Sequence, residues 1–458
     1  MSAGMLLFIA AVAVAVLLFL VIKVKMSAFV GLLLVALGTA LATGIPIGDV
    51  IPTMVEGMGK TLGNVMLIVG LGAMLGRLIE VAGGAESLAR YFTEKLGTTR
   101  VIGAVTIAAF ILGIPVFFDV GFIILAPIIF GFAKVAKIDP LKIGLPVGAV
   151  MLTVHVALPP HPGPVAAAEI LGVDAGQMIM VALPISAVTG VIGFFAAKFI
   201  KTDKIVMGPS PAAEFLEGDL DSGSAGGSLK QKVKAPGAFT VTALILLPIL
   251  QIMVGTVGTM QVDPDSTAHS VFSFIGAAPL ALLVAVIVAY LVIGNQQKWS
   301  LEKRGSVLDS ALPAVAVIVF VTGAGGVFAN VLVKSGIGDA LSNALFATHI
   351  PIILMGYVIA LALRASQGSA TVAILTSAGL LAAPMVAAGY TPLQSTLVTI
   401  AMCFGGLGLS HINDSGFWIV TKYLGLTVKD GIKTWTVLTT IFSLTGFVLT
   451  AIVFALVS

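Results

Sequence analysis

Four short stretches of this chain place side chains that can hold a proton, an anion or a hydroxyl inside otherwise apolar surroundings. They are Gly113-Ile-Pro-Val-Phe-Phe-Asp119-Val-Gly121, His155-Val-Ala-Leu-Pro-Pro-His161-Pro-Gly163-Pro164, Arg364-Ala-Ser-Gln367-Gly368-Ser369-Ala-Thr371 and Ser410-His411-Ile-Asn413-Asp414-Ser415-Gly-Phe417. A helix cannot run through Pro159, Pro160, Pro162 and Pro164, so carbonyls are freed there while few N–H groups remain, a surface suited to hydroxyl donors. The run Gly368-Ser369-Ala-Thr371 opens a helix whose unpaired N–H groups, with two small hydroxyls, suit a carboxylate. Arg364 can add a bidentate partner. An anion and its hydroxyls therefore have complementary surfaces to meet.

The elements that must position these residues are membrane helices. The 458 residues are 58% hydrophobic and 10% charged, with a mean hydropathy of +1.13, which is outside the range of soluble domains. The net charge of +3 reflects lysines gathered on one side and does not imply nucleic acid. Cys403 is the only cysteine, so neither an intramolecular disulfide nor a cysteine metal site can form. The first 22 residues lack a basic leader and a cleavage site and read as a retained span. Full spans are expected at 4–22, 27–44, 63–82, 143–171 (broken), 178–199, 238–257, 272–293, 309–333, 394–424 (broken) and 434–456, about ten crossings. The apolar regions 101–133 and 350–389 are too short for two crossings each and read as re-entrant hairpins. With Met1 outside, this layout collects nearly all lysines and arginines on the inner face and leaves only Lys60 and Lys334 outside, with Arg364 in the second hairpin. Both termini are then periplasmic.

The expected fold class is an all-α polytopic membrane protein with two inverted repeats, each holding a re-entrant hairpin and a broken helix. Residues 1–200 form the first repeat, 201–236 a flexible cytoplasmic linker, and 237–458 the second repeat. Gly83, Glu86 and Leu88 resemble Gly336, Asp339 and Leu341, and Ile138-Asp-Pro-Leu141 resembles Tyr390-Thr-Pro-Leu393. Five crossings per half invert the second half, an arrangement that puts a site at mid-membrane between interrupted helices.

Ionisable groups at membrane depth are costly and functional by default. Asp119, His155 and Asp414 are candidates for proton handling. His161, Gly163, Arg364, Gln367, Gly368, Ser369, Thr371, His411, Asn413 and Ser415 are candidates for substrate contact. Each has a structural alternative: Asp119 as a cap for the helix starting at Val120, Arg364 as partner of a carbonyl or acid, the hydroxyls bonded to their own backbone. His349 and Glu169 read as interfacial or structural, and Trp299, Trp418 and Trp435 as interface anchors. Gly57-Met-Gly-Lys-Thr61 echoes a phosphate loop, but Met54 stands at its first glycine. Gly336-Ile-Gly-Asp339 echoes an intramembrane aspartyl protease and lacks the second acid motif, so no enzyme is expected.

Phe118-Asp-Val-Gly-Phe122, Leu158-Pro-Pro-His-Pro-Gly-Pro164, Gly368-Ser-Ala-Thr-Val372 and Ser410-His-Ile-Asn-Asp-Ser-Gly-Phe-Trp418 resemble segments of the gluconate permease family, bacterial gluconate:proton symporters within a wider group of ion transporters with paired hairpins. The likeness extends through Gly72-Ala-Met-Leu-Gly76 and Lys433-Thr-Trp435, nearly the whole chain. Aspartate stands at 119 where many members would carry glutamate, which keeps a carboxyl with a shorter reach. The resemblance implies inner-membrane symport of gluconate or a related aldonate with protons, with no cofactor and no metal, and with membrane lipid as the surrounding partner. Idonate, glycerate or D-serine as substrate, or an anion channel, stand as alternatives, and a homo-oligomer is left open.

Overall fold

The computed structural model describes residues 1–97, 100–212, 235–348, 350–412 and 414–457. Every regular element among them is a helix. Lipid dictates this outcome, because a helix satisfies its backbone N–H and C=O groups within itself. The first half runs α1 (Ala3–Ile22), α2 (Ala28–Ala42), α3 (Ile47–Val81), α4 (Gly84–Leu96), α5 (Val101–Gly113), α6 (Phe118–Ala136), α7 (Pro140–Ala157), α8 (Pro162–Leu171) and α9 (Ala175–Ala197). The second runs α10 (Ala238–Gln261), α11 (Thr267–Gly276), α12 (Ala278–Gln296), α13 (Leu301–Asp309), α14 (Leu312–Lys334), α15 (Ile337–Thr348), α16 (Ile352–Gln367), α17 (Ala370–Ala387), α18 (Pro392–Gly405), α19 (Ser415–Tyr423) and α20 (Val428–Leu456), the last with a π-helical stretch at Ile432–Thr436.

Ten helical stretches among the described residues are long and apolar enough to cross a membrane. The number matches the ten crossings read from the sequence, but the membership differs. It includes the outgoing hairpin arms α6 and α17, while α2, with 15 residues, and α18, with 14, fall short on length alone. The α18 segment gains its reach by continuing through the break into α19.

One order of elements occurs twice. A long helix (α3 or α14) turns through a left-handed glycine, Gly83 at φ 80° or Gly336 at φ 78°, into a short helix, α4 or α15. Only glycine takes that backbone region without steric cost, so the recurrence marks the same sharp turn in both halves. A hairpin follows, then a helix whose first turn carries proline behind a capping side chain: Asp139 accepts from the Leu141 N–H at 2.9 Å, and Thr391 forms a capping box with Gln394. That helix breaks, resumes as α8 or α19, and is followed by a final long helix, α9 or α20. The two long helices α3 and α14 cross on small residues. A Cβ at Gly57 would come within 2.7 Å of the Gly326 carbonyl oxygen and of Asn330, so the backbones lie in contact.

Three boundaries depart from the sequence reading. Helix α3 starts at Ile47 rather than near 63 and runs 35 residues with Pro52 inside it. The phosphate-loop echo at 57–61 is thus mid-helix, where its N–H groups are engaged in helical bonds. The span expected at 272–293 is divided between α11 and α12, with proline in the first turn of α12. The start of the linker is not free: the Gly208 N–H donates to the Gly425 carbonyl at 2.8 Å, and the Ser210 hydroxyl to the Tyr423 carbonyl at 2.6 Å. The acidic and Gly/Ser-rich run at 214–228, where flexibility is expected, lies outside the described residues, as does His349.

Candidate functional site

Each hairpin turns where its sequence cannot stay helical. The first leaves α5 at Gly113, passes Pro115 and re-enters helix at Phe118, with Asp119 in the opening turn of α6. Its tip rests on α3, where a Cβ at Gly76 would collide with the Pro115 carbonyl, and one turn away Gly72 admits Pro160 of the first break to within 2.7 Å of its Cβ position. The second hairpin ends α16 with Gly368 at φ 85°, and Ser369 caps α17 by accepting from the Val372 N–H at 3.3 Å.

In each half a histidine from the break ties down the hairpin of the same half. His161 Nε2 lies 2.6 Å from the Gly113 carbonyl, and His411 Nε2 lies 2.9 Å from the Ala365 carbonyl. A carbonyl only accepts, so both Nε2 atoms carry hydrogen. His161 Nδ1 lies 3.1 Å from His155 Nδ1. In the neutral pair His161 Nδ1 is an acceptor and His155 Nδ1 the donor, which leaves His155 Nε2 as the one ring nitrogen open to a proton. Phe117 presents its ring to both imidazoles, at centroid distances of 5.9 and 5.8 Å.

The second break is a network. Arg364, 1% exposed, donates from Nη1 to the Gly368 carbonyl and from Nη2 to Asp414 Oδ2 at 2.5 Å. Asp414 Oδ2 also accepts from the Ser410 hydroxyl, and its Oδ1 accepts from the Gly416 N–H at 3.1 Å, capping α19. Trp435, fully buried in the π-helical stretch, donates its indole N–H to Ser410 Oγ at 2.8 Å, and Thr436 donates to the Ser410 carbonyl at 2.6 Å. The interface-anchor reading of Trp435 is thereby corrected. It holds the break, while Trp418 is 40% exposed, with its N–H on the Ile412 carbonyl at 2.8 Å.

The hairpins and breaks meet crosswise. The Cβ position of Gly163, at the start of α8, is 3.8 Å from Thr371 Oγ1 at the start of α17. The Cβ position of Gly416, at the start of α19, is 3.0 Å from the ring of Phe118 at the start of α6. Asp119 is within electrostatic range of Asp414 and Arg364, and His155 of Arg364. The N-termini of α6, α8, α17 and α19 thus gather in one region, each carrying about half a positive charge from its dipole. Two donors there are buried without a partner, Arg364 Nε and Gln367 Nε2. The arrangement can hold an anion on amides and a guanidinium, with an acid and an imidazole beside it. Asp119 is exposed and makes no hydrogen bond among the described residues. Ser415 is exposed at the first position of α19, and Asn413 lies outside the described residues. No group of three His, Cys, Asp or Glu side chains among the described residues could hold a metal ion.

The chain matches the family model described as GntP family permease over residues 5–457. It belongs to the GntP permease family. An inner membrane permease of Escherichia coli, YgbN, is 55% identical over the full length of both chains. The gluconate permease of Bacillus subtilis is 35% identical, covering 96% of this chain and 97% of that one. The high-affinity gluconate transporter of E. coli is 34% identical, covering 96% and 98%. Among solved structures, the YdaH transporter of Alcanivorax borkumensis superposes with a TM-score of 0.58 at 14% identity, covering 93% of this chain and 97% of that chain. MtrF of Neisseria gonorrhoeae gives 0.62 at 15% identity, covering 88% and 83%. These two likenesses establish a shared fold. The protein is a multi-pass membrane permease and not an enzyme.

Three parts of the site were not singled out in the sequence of this permease: Trp435 and Thr436 as holders of the second break, the Gly72 and Gly76 seat on α3, and Phe117 beside the histidines. A signal existed for the first two, since both segments carry the family resemblance. Phe117 lies in the first of the four stretches, but its residue type gave no sign of a place beside the histidines.

Proposed function

We propose that this permease is a symporter of the inner membrane that imports gluconate or a related aldonate together with protons. The observation that carries the reading is the meeting of four helix N-termini around the unpartnered Arg364 Nε and Gln367 Nε2, with Asp119 and His155 beside them. Such a place favours one negative charge and offers two groups that can take up a proton with it. The gluconate names of relatives at about 35% identity support the substrate class.

In this reading the carboxylate rests between the starts of α17 and α8, against Thr371, Ser369 and the Gly163 N–H. The hydroxyls meet the carbonyls freed by the prolines of the first break. His161 and His411 hold the hairpins in place, and Asp414 keeps Arg364 aimed. Protons travel on Asp119 or on His155 Nε2. One proton with one gluconate makes the cycle electroneutral, whereas a second makes it respond to voltage by about 2.3 kcal/mol per 100 mV.

The test is uptake of labelled gluconate into vesicles against a panel of sugar acids, with Thr371→Val alongside. Thr371 makes no hydrogen bond of its own among the described residues, so its loss leaves the cap of α17 intact. The expected result is a rise in half-saturation of roughly ten- to a hundredfold, the loss of one bond to a charged group at about 1.5 to 3 kcal/mol. Saturable uptake of labelled glycerate, idonate or D-serine with none of gluconate would change the substrate. The 55% identical relative carries a name without a substrate, and that keeps this second reading in view. Uptake without saturation or counterflow would mean a channel.

A further inference from the structure

We propose that Arg77, Glu80 and Ser310 form a second anion station, one step from the central site and separated from it by Phe117. A cavity of about 300 Å³ lies between α3, the tip of the first hairpin and the start of α14, lined by Arg77, Glu80, Ser310, Pro115, Phe117 and Val120 among others. That volume is at the lower end of the about 300 to 1,000 Å³ found for small-molecule pockets. Arg77 sits in its wall between two helices, with Nε donating to Ser310 Oγ at 3.1 Å and Nη1 to Glu80 Oε1 at 2.5 Å. The Ser310 hydroxyl in turn donates to the Val307 carbonyl at 2.7 Å, which fixes it as the acceptor for Arg77.

The bland reading is a helix-surface ion pair three residues apart, and the molecule has one for comparison. Arg90 and Glu86 pair at 2.7 Å with their side chains 65% and 51% exposed. Arg77 and Glu80 are 36% and 15% exposed, and Arg77 also reaches a residue 233 positions away. Phe117 packs against His155 and His161 and also lines this cavity. A carboxylate passing Phe117 out of the central site meets the Arg77 guanidinium next. A planar fork of donors holds a carboxylate through two parallel bonds. Glu80 stands in for that carboxylate when the station is empty and competes with it when it is full. A passage needs this balance, binding strongly enough to receive and weakly enough to release.

The inference rests on the proposed transport of a carboxylate, and the test separates the two. The permease is reconstituted, and counterflow of labelled gluconate is measured from each face for wild type, Arg77→Gln, Arg77→Lys and Glu80→Gln. On the face to which this cavity opens, Arg77→Gln should raise half-saturation about tenfold, with Arg77→Lys between it and wild type. Glu80→Gln should lower half-saturation on that face and slow release. The other face should be unchanged in all three. Equal changes on both faces, or none, would overturn the station. If Arg77→Gln fails to insert, Glu80→Gln decides alone: an unchanged or raised half-saturation rejects the proposal. Absence of gluconate counterflow in the wild type would instead reject the gluconate reading, and the same sided comparison is then made with whichever carboxylate the competition panel selects.

Discussion

Asp119 and Asp414 both stand at the start of a helix, yet their surroundings differ. Asp414 has its acceptors taken by Arg364, Ser410 and the Gly416 N–H, whereas Asp119 has no such bond and makes no cap. Fixed donors occupy both oxygens of Asp414, whereas both oxygens of Asp119 are open to a proton. Asp119→Asn is therefore expected to keep substrate exchange while losing accumulation driven by a pH gradient, since exchange needs no net proton movement. Undiminished accumulation would move the role to His155. For the buried pair, Asp414→Asn alone strands the Arg364 charge and should cost about 3–5 kcal/mol, seen as a loss of folded protein in the membrane. The double variant Arg364→Gln with Asp414→Asn should restore folding, because it removes both charges. If the restored protein transports with wild-type half-saturation, Arg364 is a tie and not a substrate clamp.

At the scale of elements, the interruptions were legible because Gly, Pro and polar residues cannot pass unnoticed in apolar sequence. The turns at Gly113–Phe118 and Gln367–Ser369, and the break before His161, fall where the residues put them. What holds them was not legible, because it comes from far along the chain. Trp435 near one end of a span reads equally well as an interface anchor, and nothing local reveals that its N–H meets Ser410, 25 residues earlier. The span lengths misled for a related reason: periodicity in α3 weakens across Pro52 and Lys60, although packing on α14 keeps the helix intact from Ile47. The seat on α3 is testable. A methyl group at Gly76 collides with backbone, the Pro115 carbonyl, which cannot turn aside as a flexible side chain can. Gly76→Ala should displace the tip that carries Asp119 and impair transport severely, with overpacking costing about 1–3 kcal/mol. Gly131→Ala, where the added Cβ meets nothing within 4 Å, is the matched control and should be silent.

For the whole molecule, contacts between distant segments fix which ends share a side. Lys142 pairs with Asp203 at 3.1 Å, Gly208 bonds Gly425 and Arg77 bonds Ser310, which groups the ends of α3, α6, α9, α12 and α19 with the starts of α7, α14 and α20. On the opposite side, Lys334 approaches Glu56 at 3.6 Å, the Asn330 amide donates to the Thr53 carbonyl at 2.8 Å, and Thr396 donates to Gln177 at 2.9 Å. Each hairpin then begins and ends on one side, the first with the linker and the second opposite it. Basic residues choose the absolute side. Lys60 and Lys334, the two lysines away from the linker side, both lie on Glu56, at 2.5 and 3.6 Å, so their charges are partly offset. The linker is accordingly expected in the cytoplasm and both termini in the periplasm. Cys403 is buried, so an introduced surface cysteine is the one a membrane-impermeant thiol reagent should find. Asp265→Cys, in the turn before α11, and Glu302→Cys, in the first turn of α13, replace exposed residues on either side of the α11–α12 segment. In intact cells the reagent should label the first and not the second, and in inverted vesicles the reverse. A reporter fused after residue 457 should read periplasmic, and one inserted in the linker cytoplasmic. Cysteines placed at Phe117 and Ser369 add the test that parity cannot supply, because a hairpin that crosses fully leaves every later loop where it was. If both tips lie inside the membrane around one site, gluconate should protect both cysteines from reagent. If each tip is labelled from the face opposite its own hairpin base and substrate gives no protection, the hairpins cross the bilayer and the shared site between them is lost.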